Sequence, residues 1–178
     1  MLSIEIVTKS AEETKKIAVN LAGEVEKCSF ETFPEGKQLL SGHALVIALE
    51  GNLGSGKTAF TQGLAAGFGV KENVLSPTFL ILKQFLIFFK GYKNFYHIDA
   101  YRLKNKEELL ELGFKDLINN PENIVVIEWA DKIKKILPKN ILWISFINLG
   151  KDKRKITLAS APGERGKREN KYEITFTI

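Results

Sequence analysis

The chain has little with which to brace itself covalently or to anchor itself in a bilayer. Of its 178 residues only one is cysteine, Cys28, so no disulfide can form within it. A reducing cytoplasm is the compartment that fits, and Cys28 reads as a small, buried or half-buried residue at a helix end rather than a redox centre. No apolar run approaches the ~20 residues that a membrane span needs. The most apolar stretch, "LILKQFLIFF" (80–89), is interrupted by Lys83 and Gln84. The opening "MLSIEIVTKSAEETKK" has no basic stretch leading into an apolar core, so no signal peptide is expected. Internal repeats and linkers are also lacking, and a length of 178 residues predicts one domain, 1–178, with a full hydrophobic core.

Charge is present in mild excess. Lys and Arg number 26 against 21 for Asp and Glu, a net of +5. Much of that excess lies in "KDKRK" (151–155) and "ERGKRENK" (164–171). A solvated hairpin accounts for such runs as well as an RNA contact does.

Hydrophobic spacing divides the rest into elements. "IEIV" (4–7) alternates as a strand does. Ser10 and Glu13 then form a capping-box pattern ahead of Ile17, Ala18, Leu21 and Val25 at helical spacing. "ALVIALE" (44–50) and "NIVVIEWA" (123–130) are short apolar runs, the mark of strands covered on both faces. "KTAFTQGLAAGF" (57–68) predicts a helix with Gly69 closing it. "FLILKQFLIFFKGYKNFYHIDA" predicts two strands joined near "KGYKN". "NKEELLELG" predicts a short helix closed by Gly113, and "DKIKKIL" a helical turn or two stopped by Pro138. "ILWISFINL", "RKITLAS" and "YEITFTI" read as strands, with "PGERGKREN" (162–170) a turn. Strand and helix alternating in this way predict an α/β fold. Its largely parallel central sheet would carry helices on both faces and extra antiparallel strands toward the C-terminus.

The richest stretch is "EGNLGSGKTAF" (50–60). Gly51, Asn52, Leu53, Gly54, Ser55, Gly56, Lys57 and Thr58 match G-x-x-x-x-G-K-[ST] throughout, with Ala59 following, between a buried strand and a helix. The glycines let successive backbone N–H groups point into one concavity, and the helix start adds its positive end. Lys57 supplies a charge for the β- and γ-phosphates, and Thr58 a hydroxyl for Mg²⁺. The pattern predicts a P-loop NTPase.

Such a site needs a carboxylate at the end of a neighbouring strand. Glu128 ends "IVVIE" and Asp99 ends "FYHID"; either can serve the metal or simply cap the turn that follows. His97 shares a strand face with Asp99, and either orients the acid or is a hydrogen-bonded sheet histidine. Trp129 either lines the pocket or packs. No aspartate is followed by glycine three residues on, and "NKEE" (105–108) has Glu108 where a GTPase reads its base. No L-S-G-G-Q of an ABC ATPase occurs. The four arginines are Arg102, Arg154, Arg165 and Arg168. Three of them lie in one late stretch, which weakens a small-molecule or nucleotide kinase and leaves it as the alternative.

"GNLGSGKTAFTQGLAAGFGV", "LSPTF", "HIDAYRL", "ELGF" and "VVIEWADKI", in that order, resemble the TsaE (YjeE) family. These are small bacterial ATPases of tRNA threonylcarbamoyladenosine synthesis. The resemblance runs from about Thr8 to the C-terminus and is densest from Glu50 to Lys132. It implies an Mg-dependent ATPase, weak alone and working with TsaD and TsaB, without performing the transfer itself. It also implies that tRNA comes near within the assembly. Carried over by position, it implies that Lys57 binds phosphate and that Thr58 and Glu128 hold Mg²⁺. Asp99 acts near the γ-phosphate, Thr78 belongs to a switch-like loop, and Trp129 neighbours the site. The resemblance further implies that the segment of Ser10 and Thr14 approaches the base of the nucleotide, ATP or ADP, and that Arg154 touches either the nucleotide or a partner. Family loops commonly read G-D-L-G-[AS]-G-K-T, so Asn52 is a departure that removes one negative charge and keeps the turn-forming amide.

Overall fold

A computed structural model describes residues 3–28, 42–76, 80–139 and 141–160, with backbone alone at 26–28 and 160. The predicted strand "YEITFTI", the turn "PGERGKREN", Thr78 and the environment of the Cys28 side chain fall outside the described residues.

Strand β1 (Ser3–Thr8) leads into helix α1 (Ala11–Cys28). Ser10 caps that helix by accepting the Glu13 N–H at 3.0 Å. The Glu13 carboxylate reaches back to the N–H of Lys9 at 2.6 Å, one residue earlier than an ideal capping box. Strand β2 (Leu45–Gly51) runs into the glycine loop and then helix α2 (Lys57–Gly67). Gly69, at φ +84°, closes α2 with bonds back to Ala66 from its own N–H and to Ala65 from the Val70 N–H.

Strands β3 (Leu82–Phe89) and β4 (Tyr92–Asp99) form the expected hairpin around Lys90 and Gly91. A 3₁₀ turn (Ala100–Arg102) and helix α3 (Lys106–Glu111) follow. Gly113 does not only close α3. Its left-handed backbone is the N-cap of a second short helix, α4 (Phe114–Asn119), which the sequence reading missed. Strand β5 (Asn123–Glu128) is buried at all six positions, as its apolar run predicts. A kinked 3₁₀ segment (Ala130–Ile136) then leads to β6 (Leu142–Gly150) and β7 (Lys153–Ser160).

The seven strands form one mixed sheet in the order β1-β7-β6-β2-β5-β4-β3. The four central strands, β6, β2, β5 and β4, are parallel. Antiparallel strands flank both sides: β7 and β1 beyond β6, and β3 beyond β4. Strand β7 is the antiparallel addition expected toward the C-terminus, but the two edges of the sheet come from elsewhere. A hairpin from mid-chain supplies one edge, and the N-terminal strand supplies the other. The N-terminal strand pairs with β7, and its alternating pattern turns a half-buried face, with Ile6, toward the core.

Helices cover both faces. On one, α1 and α2 pack with Ile47, Leu49, Phe95 and Val126 of the sheet. On the other, Leu109, Phe114 and Ile133 pack on Val46, Ile98, Val125 and Ile127. Phe60, Phe68, Phe95 and Phe114 are fully buried, each worth about 1.5–3 kcal/mol of transfer free energy. No described helix is long and apolar enough to cross a membrane.

The register aligns the strand ends that matter. Asp99 pairs with Glu128, and Glu128 pairs with Leu49, two residues before the glycine loop begins. Helices α1 and α2 run parallel in contact, with Gly63 against Lys15 and Ala18, and Gly67 against Val19 and Ala22. A Cβ at Gly63 would lie inside van der Waals distance of the Lys15 carbonyl and 2.7 Å from Ala18 Cβ, so backbone must move. Gly63→Ala should therefore cost about 2–3 kcal/mol. Urea denaturation should show a lower midpoint with an unchanged slope.

Candidate functional site

The glycine loop closes over the carboxyl end of β2 because its backbone takes conformations that side chains disfavour. Gly51 has φ +142°, and a Cβ there would sit 2.6 Å from the Phe146 carbonyl and 2.9 Å from Ser55 Oγ. Gly54 (φ +72°) and Gly56 (φ +104°) are left-handed, and Gly56 is the N-cap of α2 with no side-chain cap of its own. The amino end of α2 is thereby turned toward an open cleft of about 370 Å³. The cleft is lined by residues 53–59, Ser76, Asp99, Tyr101, Arg102, Glu128 and Trp129. Ser55 Oγ is buried within this loop and has no hydrogen-bond partner among the described residues.

Lys57 is almost fully buried. Its ammonium donates to the carbonyls of Gly51 (2.6 Å) and Asn52 (3.0 Å), and lies 3.8 Å from the centre of the Trp129 ring. Burial lowers its pKa; the charges of Glu128, Asp131 and Asp99 push the other way without cancelling it. Trp129 reaches this position through a left-handed backbone (φ 60°, ψ 40°), rare for a bulky residue. The Tyr101 ring supports it from the side, with centroids 4.8 Å apart. Tyr101 is held in turn by Lys132, which bonds its carbonyl and faces its ring.

The two strand-end acids differ. Glu128 is 2 % exposed. Its Oε2 accepts from Thr58 Oγ1 at 2.9 Å. Its Oε1 accepts from Thr61 Oγ1 at 3.1 Å and pairs with His97 Nε2 at 2.9 Å. Asp99 caps the following turn, with Oδ1 on the Tyr101 N–H at 3.0 Å, and its Oδ2 accepts from Ser76 Oγ at 2.9 Å.

Most residues expected of the site meet here: Leu53, Gly54, Ser55, Gly56, Lys57, Thr58, Ala59, Asp99, Glu128 and Trp129 line one cleft. Gly51 and Asn52 contribute carbonyls behind it, and the Asn52 side chain is exposed. Ser10, Thr14 and Arg154 do not line the cleft. The Ser10 hydroxyl caps α1. That of Thr14 bonds the Ser10 carbonyl (3.0 Å) and pairs with Thr8 Oγ1 (2.8 Å). Thr14 and Arg154 flank Gly56, with side-chain atoms 3.8 Å from where its Cβ would stand. His97 does orient an acid, but that acid is Glu128 on the next strand rather than Asp99 on its own. Sequence reasoning missed Thr61, Ser76, Tyr101 and Arg102. Thr61 lies three residues after Thr58 on the same helix face, a spacing that could have flagged it.

The family model "Threonylcarbamoyl adenosine biosynthesis protein TsaE" matches residues 8–156. The chain belongs to the TsaE family. Among TsaE relatives, the Bacillus subtilis tRNA threonylcarbamoyladenosine biosynthesis protein TsaE is 39% identical over 129 residues, covering 72% of this chain and 73% of that protein. The protein of the same description from Rickettsia felis is 33% identical over 162 residues, covering 89% of this chain and 81% of the relative. In structure, the chain resembles the crystal structure of Bacillus subtilis YdiB, with TM-score 0.59 and 29% identity, covering 90% of this chain and 87% of that one.

The lowered pKa of Lys57 gives a test of its burial within this TsaE-family cleft. Below the folded-state pKa both folded and unfolded chains hold the proton, and the full penalty for burying the charge is present. As pH rises through that value toward the ordinary 10.5, the folded chain releases its proton first and the penalty fades. The unfolding free energy of the wild type relative to Lys57→Met should therefore rise as pH approaches 10.5 from below, read by urea denaturation at each pH. A flat difference would mean that the neighbouring carboxylates offset the burial of the ammonium in full.

Proposed function

We propose that this chain is a P-loop NTPase that binds ATP with Mg²⁺ and hydrolyses it, as the nucleotide-driven component of tRNA threonylcarbamoyladenosine formation. The bond of 2.9 Å between Thr58 and Glu128 beneath the glycine loop carries this proposal. A helix-start hydroxyl and a strand-end carboxylate suit a small octahedral cation that keeps several waters and takes its remaining ligands from phosphate. The described residues fit that demand: they contain no cluster of three acidic, histidine or cysteine side chains that would form an all-protein cage. The unpartnered Ser55 hydroxyl and the left-handed glycines around it suit a phosphate chain.

Each residue then has a task. Lys57 exchanges the carbonyls of Gly51 and Asn52 for oxygens of the β- and γ-phosphates. Thr58 and Glu128 hold the metal, which supplies neutralisation of phosphate charge. Asp99, fixed by Ser76 and the Tyr101 N–H, orients the attacking water. Trp129 and Tyr101 wall the cleft against bulk solvent. Thr14 and Arg154, beside Gly56, and Ser10 serve the nucleoside side, and Thr78 the loop that follows Ser76. Hydrolysis is weak in isolation and rises with partners of the TsaD and TsaB type, with tRNA nearby and the cytoplasm as the setting.

Adding purified TsaD and TsaB should raise phosphate release and support repeated rounds of tRNA modification; unchanged rates would overturn the proposal. A γ-phosphate label should appear only as free phosphate. Label on a small acceptor would instead establish the kinase alternative. Lys57→Ala should weaken ATP binding roughly 10- to 100-fold, the worth of a lost hydrogen bond to a charged group. Glu128→Ala should lose Mg²⁺-dependent turnover while circular dichroism stays that of the wild type.

A further inference from the structure

Glu128 accepts more hydrogen bonds than holding a metal requires. Thr58 is the partner that a metal would displace, because a hydroxyl that ligates a cation turns its lone pair, not its proton, toward the site. The other two partners sit on the opposite oxygen. Thr61 is fully buried one turn further along α2, and its Oγ1 is 3.1 Å from Glu128 Oε1 and 3.1 Å from the Lys57 carbonyl. A hydroxyl has one proton. The carboxylate is the stronger acceptor, and the Lys57 carbonyl already lies within the helix ladder, so the proton goes to Glu128. His97 is fully buried on β4, with Nε2 at 2.9 Å from the same Oε1. It must therefore carry its proton on Nε2. Its Nδ1 is buried with no partner, so its hydrogen bond to Glu128 is what the described surroundings offer this ring.

We propose that Thr61 and His97 are positioning residues for the metal: they clamp Oε1 of Glu128 from helix and strand, so that Oε2 alone is presented beside Thr58. The clamp rests on the Mg²⁺–nucleotide reading above. Without it, the carboxylate would rotate and share its oxygens among Thr58, the cation and Lys57. With it, only the Thr58 bond changes when the cation arrives, and the buried charge stays hydrogen-bonded throughout. Outer partners of a ligating carboxylate commonly govern affinity for the ion more than affinity for the rest of the ligand.

The test separates metal binding from nucleotide binding. A fluorescent ADP analogue is titrated into the full chain with chelator, then across a Mg²⁺ series. Thr61→Val keeps the shape and removes the proton; Thr61→Ser keeps the proton. The expected result for Thr61→Val is unchanged metal-free affinity, with the Mg²⁺ concentration for half-maximal tightening raised about 10-fold. Thr61→Ser should return near the wild-type value, and His97→Gln, which retains an N–H donor, should fall between. If His97→Gln fails to fold, the Thr61 pair still decides. Thr61→Val with the wild-type Mg²⁺ response overturns the clamp. So does an equal loss of affinity with and without metal, because that marks general damage. Wild-type protein whose ADP binding ignores Mg²⁺ overturns the Mg²⁺–nucleotide reading and the clamp with it, and so is distinguishable from failure of the clamp alone.

Discussion

A carboxylate at 2 % exposure, Glu128, is the constraint around which the functional end of this molecule is arranged. An ionised group taken out of water must be met by donors, or folding pays several kcal/mol for it. Here the donors come from two elements besides its own strand: two hydroxyls from α2 and one ring nitrogen from β4. Satisfying the charge therefore fixes how α2 sits over β5 and β4. It also fixes where the glycine loop can lie, since α2 begins at Lys57. The lysine ammonium is drawn into the same field from the other side, under an indole whose backbone is itself held in a disfavoured conformation. Two opposite charges are thus buried close together before any ligand is considered. Such an arrangement is pre-organised for a charged guest and expensive without one.

What could be read from the sequence follows from how local each signal is. Strands β2 and β5 announce themselves because both faces are covered, which leaves uninterrupted apolar runs. The β3–β4 hairpin is marked by its turn residues. The glycine loop and the acids at strand ends were legible for the same reason, since each is a short pattern bound to one element. Helix α4 was not, because Gly113 carries two meanings. A left-handed glycine ends one helix as readily as it starts the next, and only the packing of Phe114 decides.

The partners of Glu128 were illegible for a different reason. His97 meets it through the β4–β5 register, and nothing in either strand's own residues states that register. Thr61 is apolar enough in its helical context to pass for core. The pairing of β1 with β7 belongs to the same class, since it joins the first described strand to the last. The exposed side chain of Asn52 also bears on sequence reading. The described bonds of this residue come from its main chain, to Lys57 and to the Ser55 N–H. An aspartate in its place would leave the loop's shape untouched and alter only the field around it.

Helices α1 and α2 lie side by side and point the same way, so their positive ends are neighbours at the mouth of the loop. Aligned dipoles in contact repel one another, and α1 relieves its share with Glu12 and Glu13 in its first turn. The first turn of α2 has no acid at all. One pole is thus compensated from within its own helix, and the other from a neighbouring strand, where Glu128 meets Thr58 at 2.9 Å. The acids of α1 travel with their helix, whereas the one that serves α2 is borrowed from β5 and can be taken up by a cation without disturbing the helix itself.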